Sequence, residues 1–263
     1  MNYLDKLYPA LAYFKHLTKS KTSQSIHSPF VFELYNNIIK KTDSIEGSDS
    51  IEEIREHLLF RKSFIDVIDY GAYSYKQSDQ RRIKDITAIS VSDKRKCQLF
   101  YNLIKYLNPT NIVELGTSFG LTTMYMALAA PEAKIFTVEG CSQTISIAIE
   151  NFEKLNYRNI FTTNSTFDVA FQDILNNIGK ADFIFFDGNH LKEPTLRYFE
   201  MSLPHIHNDT VFIFDVIHWS SQMNSAWESI KKNELLTVTI DLYYFGIIFF
   251  KKELSKQDFT LSY

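Results

Sequence analysis

Short apolar runs alternate with longer amphipathic stretches along the C-terminal part of the chain. From about residue 110 onward, runs rich in Val, Ile and Phe are each followed by a stretch with apolar positions at helical spacing. This alternation is typical of βα units, so it predicts an α/β protein with a mostly parallel sheet. The predicted strands are near 111–115, 134–138, 159–163, 182–187 and 210–214. The predicted helices are near 119–130, 142–156, 167–177, 193–202 and 222–232.

The pattern changes at the C-terminal end, where two strand-like runs follow each other directly. LLTVTIDL (235–242) and FGIIFFKK (245–252) are separated by a tight segment, and Gly246 lies just after it. Two strands joined so closely form a hairpin, because a parallel connection needs a much longer crossover. We therefore expect a Rossmann-like sheet of seven strands, mostly parallel, with an antiparallel last strand.

The first 108 residues lack this alternation and are predicted to be mainly helical. In the second of three helical stretches, Ser50 is the expected N-cap and Glu53 follows three positions later. The polar and basic segment 70–85 has no period and is expected to be a loop. These patterns predict a helical N-terminal extension or cap over 1–108 and an α/β domain over 109–263. The helical stretches are 26–41, 50–62 and 94–108.

Composition and charge narrow the classes of partner. The chain has 263 residues, of which 45% are hydrophobic, and a formal net charge of −3, which gives no overall attraction to nucleic acid or anionic lipid. No apolar run approaches the ~20 residues of a membrane span. Cys97 and Cys141 lack the spacing of a zinc site. We expect a cytoplasmic protein that acts on a small molecule, with neither nucleic acid nor membrane as a partner.

The stretch NIVELGTSFGLTT (111–123) combines a predicted strand, a glycine-bearing turn and a predicted helix. In α/β proteins such a turn brings main-chain N–H groups and a positive helix end against a ligand. Gly116 and Gly120 fit that role, although a turn can also need glycine for purely steric reasons. Thr117 and Ser118 stand where the dinucleotide fingerprint has its second glycine, so the loop departs from the pattern of NAD binding.

The next predicted strand ends in an acid. Glu139 follows Gly116 by 23 residues, close to the separation at which an acid accepts hydrogen bonds from ribose hydroxyls. The glycine turn and the acid together indicate an adenosine-containing ligand.

Two further strand ends each carry an aspartate and then a histidine. Asp187 and His190 follow the fourth predicted strand, and Asp215 and His218 follow the fifth. Two neighbouring carboxylates can share a divalent cation such as Mg²⁺, and a histidine of near-neutral pKa is the usual general base. The alternative for His218 is a structural role, in which it caps a helix or holds the loop of Trp219.

Four motifs at successive strand ends resemble those of class I S-adenosylmethionine-dependent methyltransferases, and more closely their small-molecule O-methyltransferase branch. The resemblance covers about 110–263. It implies the class I methyltransferase fold, S-adenosylmethionine as the cofactor, and methyl transfer to an oxygen of an unidentified small molecule, with a nitrogen acceptor as the alternative. The motifs are VELGTSFGLTT (113–123), FTVEG (136–140), DFIFFDGNH (182–190) and IFDVIHW (213–219).

The resemblance also implies roles for individual residues. Glu114 and Gly116 would lie at the methionine moiety, Ser118 and Thr122 near its carboxylate, and Glu139 on the ribose. Ser165 would lie near the adenine. The full cofactor-binding set that we expect is Glu114, Gly116, Thr117, Ser118, Gly120, Thr122, Glu139, Ser165 and Asp187.

The catalytic residues that we expect are His190, Asp187 and His218. The resemblance favours His190 as the base, because it stands where metal-dependent relatives have a catalytic lysine, and His218 is the second candidate. Asp187 and Asp215 would be the metal ligands. In those relatives a second ligand directly follows the aspartate of the fifth strand, and here that position is Val216, which argues against a metal.

Two other classes of function remain open from the sequence. One is an NAD-type oxidoreductase on a related fold, which the glycine loop and the terminal hairpin disfavour. The other is a non-catalytic nucleotide-binding or interaction protein that retains the fold. The apolar N-terminal helix also suggests a homodimer.

Overall fold

The computed structural model describes residues 3–68 and 78–263. Its α-helices are α1 (Tyr3–Lys19), α2 (Pro29–Leu34), α3 (Asp49–Phe60), α4 (Ile83–Ser90), α5 (Lys94–Leu107), α6 (Leu121–Ala129), α7 (Ser142–Lys154), α8 (Phe167–Ile178), α9 (Lys192–Ser202) and α10 (Ser221–Ile230). Its strands are β1 (Phe64–Ile68), β2 (Ser78–Arg82), β3 (Asn111–Leu115), β4 (Lys134–Glu139), β5 (Ile160–Asn164), β6 (Phe183–Phe186), β7 (Val211–Asp215), β8 (Val238–Asp241), β9 (Phe245–Phe249) and β10 (Gln257–Thr260).

The chain forms two compact units. Unit one comprises the described part of Met1–Asn36 together with Leu175–Tyr263, and unit two comprises the described part of Asn37–Ile174. Within the described residues the main sheet has eight strands, so the predicted number of seven was too low by one. The α/β class and the mostly parallel sheet are confirmed. The predicted division into 1–108 and 109–263 remains a prediction.

Unit two contains the first βα units that the sequence predicted. Strands β3, β4 and β5 pair in parallel in that order, and Val113 lies opposite Phe136 in the register. Helices α3, α5, α6 and α7 contribute to one apolar cluster, in which Phe119, Tyr125 and Phe152 are buried. The spacing of apolar residues along these helices is what places their buried faces toward this cluster.

Two local predictions in unit two were wrong. Helix α3 is preceded by Ser48 rather than capped by Ser50, and the Ser48 hydroxyl donates to the Ile45 carbonyl instead of capping the helix. The segment 70–85 is only partly a loop, because 78–82 forms β2, which pairs with β1, and α4 begins at Ile83. Strand pairing overrides the polar character of this stretch. Residues 69–77, including the remainder of the predicted loop, lie outside the described residues.

Unit one contains the hairpin predicted near the C-terminal end. Strand β9 runs antiparallel to both β7 and β8, and β6 runs parallel to β7. The antiparallel strand is not the last one, because β10 follows and pairs in parallel with β8. Sequence patterning missed β10 because Gln257 and Asp258 are polar and exposed, and only Phe259 turns into the core.

Aromatic packing fixes the layers of unit one. The rings of Phe186 and Phe214, on adjacent strands, stack with centroids 4.3 Å apart. Trp227 on α10 is buried, and a Cβ at Gly246 in β9 would lie 2.6 Å from its ring. Only glycine fits beneath the indole. Among the described residues, we find no helix with the combined length and hydropathy that crossing a bilayer requires.

Candidate active site

The glycine loop of unit two follows β3 and has left-handed backbone at several positions. Gly116 has φ of 107°, Ser118 of 49° and Gly120 of 79°. A Cβ at Gly120 would lie 2.3 Å from Cε1 of Phe152, so packing of α7 as well as backbone conformation requires glycine there. The Gly116 N–H donates to the Val138 carbonyl at 2.9 Å, which ties the loop to the neighbouring strand.

The buried carboxyl group of Glu114 supports the glycine loop through threonine hydroxyls. Glu114 has no exposed surface, and its Oε2 accepts hydrogen bonds from the hydroxyls of Thr123 and Thr137 at 2.5 and 2.7 Å. Thr137 also pairs with the hydroxyl of Thr117 in the loop at 2.6 Å. Burial raises the pKa of Glu114 to about 7, although the bonds from the two threonines favour the charged form. Thr123 and Thr137 are supporting residues that sequence reasoning missed, because their role depends on contacts across strands.

The other oxygen of this carboxyl, Glu114 Oε1, is buried and has no hydrogen-bond partner among the described residues. An orphaned buried acceptor costs free energy unless a donor reaches it. Glu114 is therefore placed where a donor from a ligand or a water would stabilise it.

Glu139 at the end of β4 is the centre of the predicted ligand site. Its Oε2 accepts from the main-chain N–H of Ser118 at 3.0 Å, and its Oε1 accepts from the N–H of Cys141 at 2.9 Å. The Ser165 N–H donates to the Glu139 carbonyl at 3.2 Å. The structure thus brings together three predicted site residues at the ends of three strands. They are Ser118 after β3, Glu139 at the end of β4 and Ser165 after β5.

The predicted cofactor residues of unit two fall into two groups. Gly116, Ser118, Glu139 and Ser165 are partly exposed, whereas Glu114, Thr117, Gly120 and Thr122 are buried. The first group is accessible to a ligand and the second group shapes the loop. The sequence did not distinguish these two groups, because burial depends on contacts in the folded chain.

These residues fit an adenosine-type cofactor. The carboxylate of Glu139 is held by two main-chain N–H groups at the end of β4, and an acid at this position is of the type that accepts hydrogen bonds from ribose hydroxyls. Helix α6 begins after Gly120, which has no side chain to cap it, so its first N–H groups and the positive end of its dipole face an incoming carboxylate.

Unit one carries a separate cluster of three polar side chains. Asp187, His190 and Asp215 each offer one ligand atom, and these three atoms lie within 4.8 Å of one another. The two aspartates are neighbours because Phe186 and Phe214, which directly precede them, are paired in the register of β6 and β7. The His190 Nε2 lies 3.9 Å from Asp187 Oδ1. The sequence correctly predicted that these residues lie at neighbouring strand ends.

The cluster also contains an unsatisfied acceptor. Asp215 Oδ1 is buried without a hydrogen-bond partner among the described residues. Two carboxylates and an imidazole within this distance form a donor set that fits a divalent cation, and the nitrogen suits Mn²⁺ better than Mg²⁺.

Val216, directly after Asp215, has φ of 46°. This left-handed conformation is a genuine outlier for a β-branched residue and costs on the order of 1–3 kcal/mol. Val216 supplies no ligand atom, as the sequence indicated. Its strained backbone was not predictable from the sequence, because valine is among the residues least suited to it.

His218, the other catalytic candidate, lies outside this cluster. It is 9% exposed, and its two ring nitrogens contact Asn224 Oδ1 at 2.9 Å and Asp241 Oδ2 at 2.7 Å. Both nitrogens are therefore engaged, which supports the structural alternative for this histidine. Burial alone would raise the pKa of Asp241, but hydrogen bonds from His16 and His218 outweigh it and hold the pKa well below the usual range.

The sequence and the fold of the chain are similar to those of known proteins. Residues 113–217 match the family model described as a methyltransferase domain. A curated catechol O-methyltransferase of Niastella koreensis is 29% identical over 131 residues, which are 49% of this chain and 58% of that protein. The chain thus spans less than two thirds of the length of this curated relative.

Two solved structures share the fold. The SAH-bound Podospora anserina methyltransferase PaMTH1 has a TM-score of 0.64 at 13% identity, over 86% of this chain and 97% of that chain. The Bacillus cereus O-methyltransferase in complex with SAH has a TM-score of 0.54 at 16% identity, over 84% of this chain and 97% of that chain. The resemblance inferred from the four motifs is confirmed: residues 113–217 match a methyltransferase domain, and the chain has the fold of class I S-adenosylmethionine-dependent methyltransferases.

Proposed function

We propose that this protein transfers a methyl group from S-adenosylmethionine to an oxygen of a small molecule. The observation that carries the proposal is the contact between Glu139 and the glycine loop at Ser118, which places an acid at the end of β4 beside the glycine turn that follows β3. The family match and the curated relative named as a catechol O-methyltransferase support it.

The proposed cofactor contacts belong to unit two. Glu139 accepts from the ribose hydroxyls, Ser165 lies at the adenine, and the loop from Gly116 to Ser118 borders the methionine part. The first turn of α6, which includes Thr122, faces the carboxylate with main-chain N–H groups. Glu114, Thr117 and Gly120 keep the loop in this shape through buried contacts. The sequence also predicts Asp187 as a cofactor contact, and this stays a prediction.

The bound cofactor supplies a methyl group on a positively charged sulfur, so transfer to an oxygen leaves a neutral thioether and releases a proton from the acceptor hydroxyl. We propose that His190 accepts this proton and that Asp187, 3.9 Å from its Nε2, orients the ring and stabilises the imidazolium. The protein otherwise contributes by alignment of the acceptor oxygen with the methyl group. His218 is not the base in this proposal, because both of its nitrogens have partners.

A divalent cation is the second interpretation of the same cluster, favoured by the distances among Asp187, His190 and Asp215. A cation there would lower the pKa of an acceptor hydroxyl, and His190 would then be a ligand rather than the base. Val216 in place of a ligand argues for the first interpretation. Titration with Mn²⁺ and with Mg²⁺ by calorimetry distinguishes them, since the base mechanism needs no cation.

The proposed partners follow from the same observations. The fold and relatives support a small-molecule acceptor, and the charge and composition support a cytoplasmic protein without nucleic-acid or membrane partners. Helix α1 exposes four apolar side chains on the side opposite the buried His16, so a homodimer through this surface is also proposed. They are Leu7, Leu11, Phe14 and Leu17.

Thermal unfolding with S-adenosylhomocysteine tests the proposed function. A ligand at ~100 times its dissociation constant should stabilise the protein by about 2.7 kcal/mol, which raises the melting temperature by a few degrees. NADH serves as the comparison ligand and should have no effect. A shift with NADH and none with the homocysteine compound would instead support an oxidoreductase. Binding without turnover on any acceptor would support a non-catalytic protein.

A further inference from the structure

Two histidines from distant parts of unit one share a single carboxylate. The His218 Nε2 lies 2.7 Å from Asp241 Oδ2, and the His16 Nε2 lies 3.4 Å from Asp241 Oδ1 and 3.3 Å from its carbonyl oxygen. We call His16, Asp241 and His218 the Asp241 latch. Its members come from α1, from the end of β8 and from the connection between β7 and α10.

The carboxylate of the latch is itself held in place. The Tyr243 N–H donates to Asp241 Oδ1 at 2.9 Å, and the Tyr243 hydroxyl donates to the Pro9 carbonyl at 2.6 Å. The Tyr243 ring stacks on His218 with centroids 5.6 Å apart and an interplanar angle of 22°. Asp241 is therefore a fixed point, and His218 is confined by both a hydrogen bond and a ring contact.

The strained turn lies between this fixed point and the sheet. On one side, Asp215 is paired with Phe245 in the register of β7 and β9. On the other side, His218 is bound to Asp241. Between them is Val216 in its left-handed conformation, and a hydrogen bond from the Trp219 N–H to the Val216 carbonyl, at 2.9 Å, closes the turn.

A strained conformation persists only when its surroundings enforce it. We infer that the Asp241 latch holds Val216 in the left-handed conformation and thereby directs the Asp215 carboxylate into the cluster with Asp187 and His190. His218 is then a positioning residue, and it acts on Asp215 through three residues of backbone. This role does not depend on the identity of the methyl acceptor or on the presence of a cation.

Hydrogen exchange of the Trp219 amide measures whether the turn is closed. In His218→Ala the latch is broken, and we expect protection of this amide to fall by about tenfold or more. His218→Gln keeps an N–H donor that can reach Asp241, so it should retain most of the protection. The matched control is His205→Ala, which removes a histidine whose Nδ1 contacts the Gly179 carbonyl elsewhere in unit one, and it should leave Trp219 unchanged.

A second substitution tests whether His218 acts by holding Val216 in its strained backbone conformation. Asparagine adopts left-handed backbone more readily than valine, so Val216→Asn should restore Trp219 protection in the His218→Ala background. In protein labelled with ¹³C-aspartate, the carboxyl signal of Asp215, assigned with Asp215→Asn, should move in His218→Ala and return in the double variant. A purely structural role of His218 would not be rescued at position 216.

Where His218→Ala reduces the yield of folded protein, Asp241→Asn provides the same test, because it keeps the shape of the side chain and weakens the bond from His218. Unchanged Trp219 protection in the folded latch variants would overturn the inference. Loss of protection that Val216→Asn fails to restore would also overturn it.

Discussion

The carboxylate of Glu139 accepts a hydrogen bond from the main-chain N–H of Ser118, with 3.0 Å between the two atoms. This bond joins the end of β4 to the glycine loop after β3. One acidic side chain therefore both shapes the loop and is the proposed contact for the ribose of the cofactor. Cofactor affinity and loop conformation should depend on the same residue.

Glu139→Gln should weaken binding of S-adenosylhomocysteine by roughly 10- to 100-fold, because charge-assisted hydrogen bonds contribute about 1.5–3 kcal/mol. Isothermal titration calorimetry measures the change. Glu132→Gln, at an exposed position of unit two, is the matched control and should bind as the wild type does. Equal affinity of the two variants would remove Glu139 from the proposed site.

Gly120→Ala should destabilise the protein by about 3 kcal/mol, since the added methyl group meets Phe152 and the backbone is left-handed. Gly179→Ala distinguishes the cost of the clash with a neighbouring side chain from the cost of the left-handed backbone. Gly179 has φ of +71°, but a methyl group added there would have no other atom within 4 Å, so this variant should lose only about 1 kcal/mol. Urea unfolding measures both. Similar losses in the two variants would contradict a packing role for Gly120.

Glu114 should make stability fall as pH rises. Its pKa is about 7 in the folded protein and 4.5 ordinarily, so the folded state holds a proton that the unfolded state has released between those values. By linkage, stability is highest below about pH 4.5 and decreases up to about pH 7, by at most about 3 kcal/mol from this group.

Glu114→Gln tests this dependence, because an amide cannot titrate. The difference in unfolding free energy between the variant and the wild type should change between pH 5 and pH 8 in favour of the variant. Urea unfolding at the two pH values gives that difference. If the difference were the same at both, Glu114 would have an ordinary pKa.

Val216→Asn alone should stabilise the protein by about 1 kcal/mol, because asparagine tolerates the left-handed backbone that valine adopts at this position. Val216→Thr is the control, since threonine is also β-branched and gains no such relief. Thermal and urea unfolding measure both variants. Stabilisation by threonine to the same extent would point to a cause other than backbone strain.

Leu11→Asp should shift the protein from dimer to monomer. The side chain is 65% exposed in the middle of the apolar surface of α1, and a charge there would be costly to bury in an interface. Phe60→Asp, at an 81% exposed apolar position in unit two, controls for a change of charge on the surface. Light scattering during gel filtration measures the mass. A wild-type protein that is already monomeric at micromolar concentration would contradict the proposed dimer.

Much of the fold followed from periodicity, because local patterns determine where strands and helices begin. Strand β3 was predicted at its observed bounds, and the strand ends that carry Asp187 and Asp215 were predicted to be neighbours. The two strand ends are neighbours because βα units place the carboxyl ends of successive parallel strands at the same edge of the sheet.

The remaining features depend on contacts that no local pattern encodes. His16 and Asp241 are 225 residues apart in the sequence and meet only in the folded chain. Strand β10 pairs through its backbone with little apolar signal. The left-handed Val216 contradicts the preference of its own side chain, so only the structure reveals it.

Gly246 has no side chain, but it pairs with Asp241 of the latch in the register of β8 and β9. Gly246 lies in β9, opposite Phe214 of β7, and the ring of Trp227 on α10 covers it. Helix α10 begins at Ser221, immediately after the turn that contains Val216. A larger residue at 246 would move the helix and, through it, the turn. Substitution at this position should therefore also disturb the alignment of polar side chains at the neighbouring strand ends.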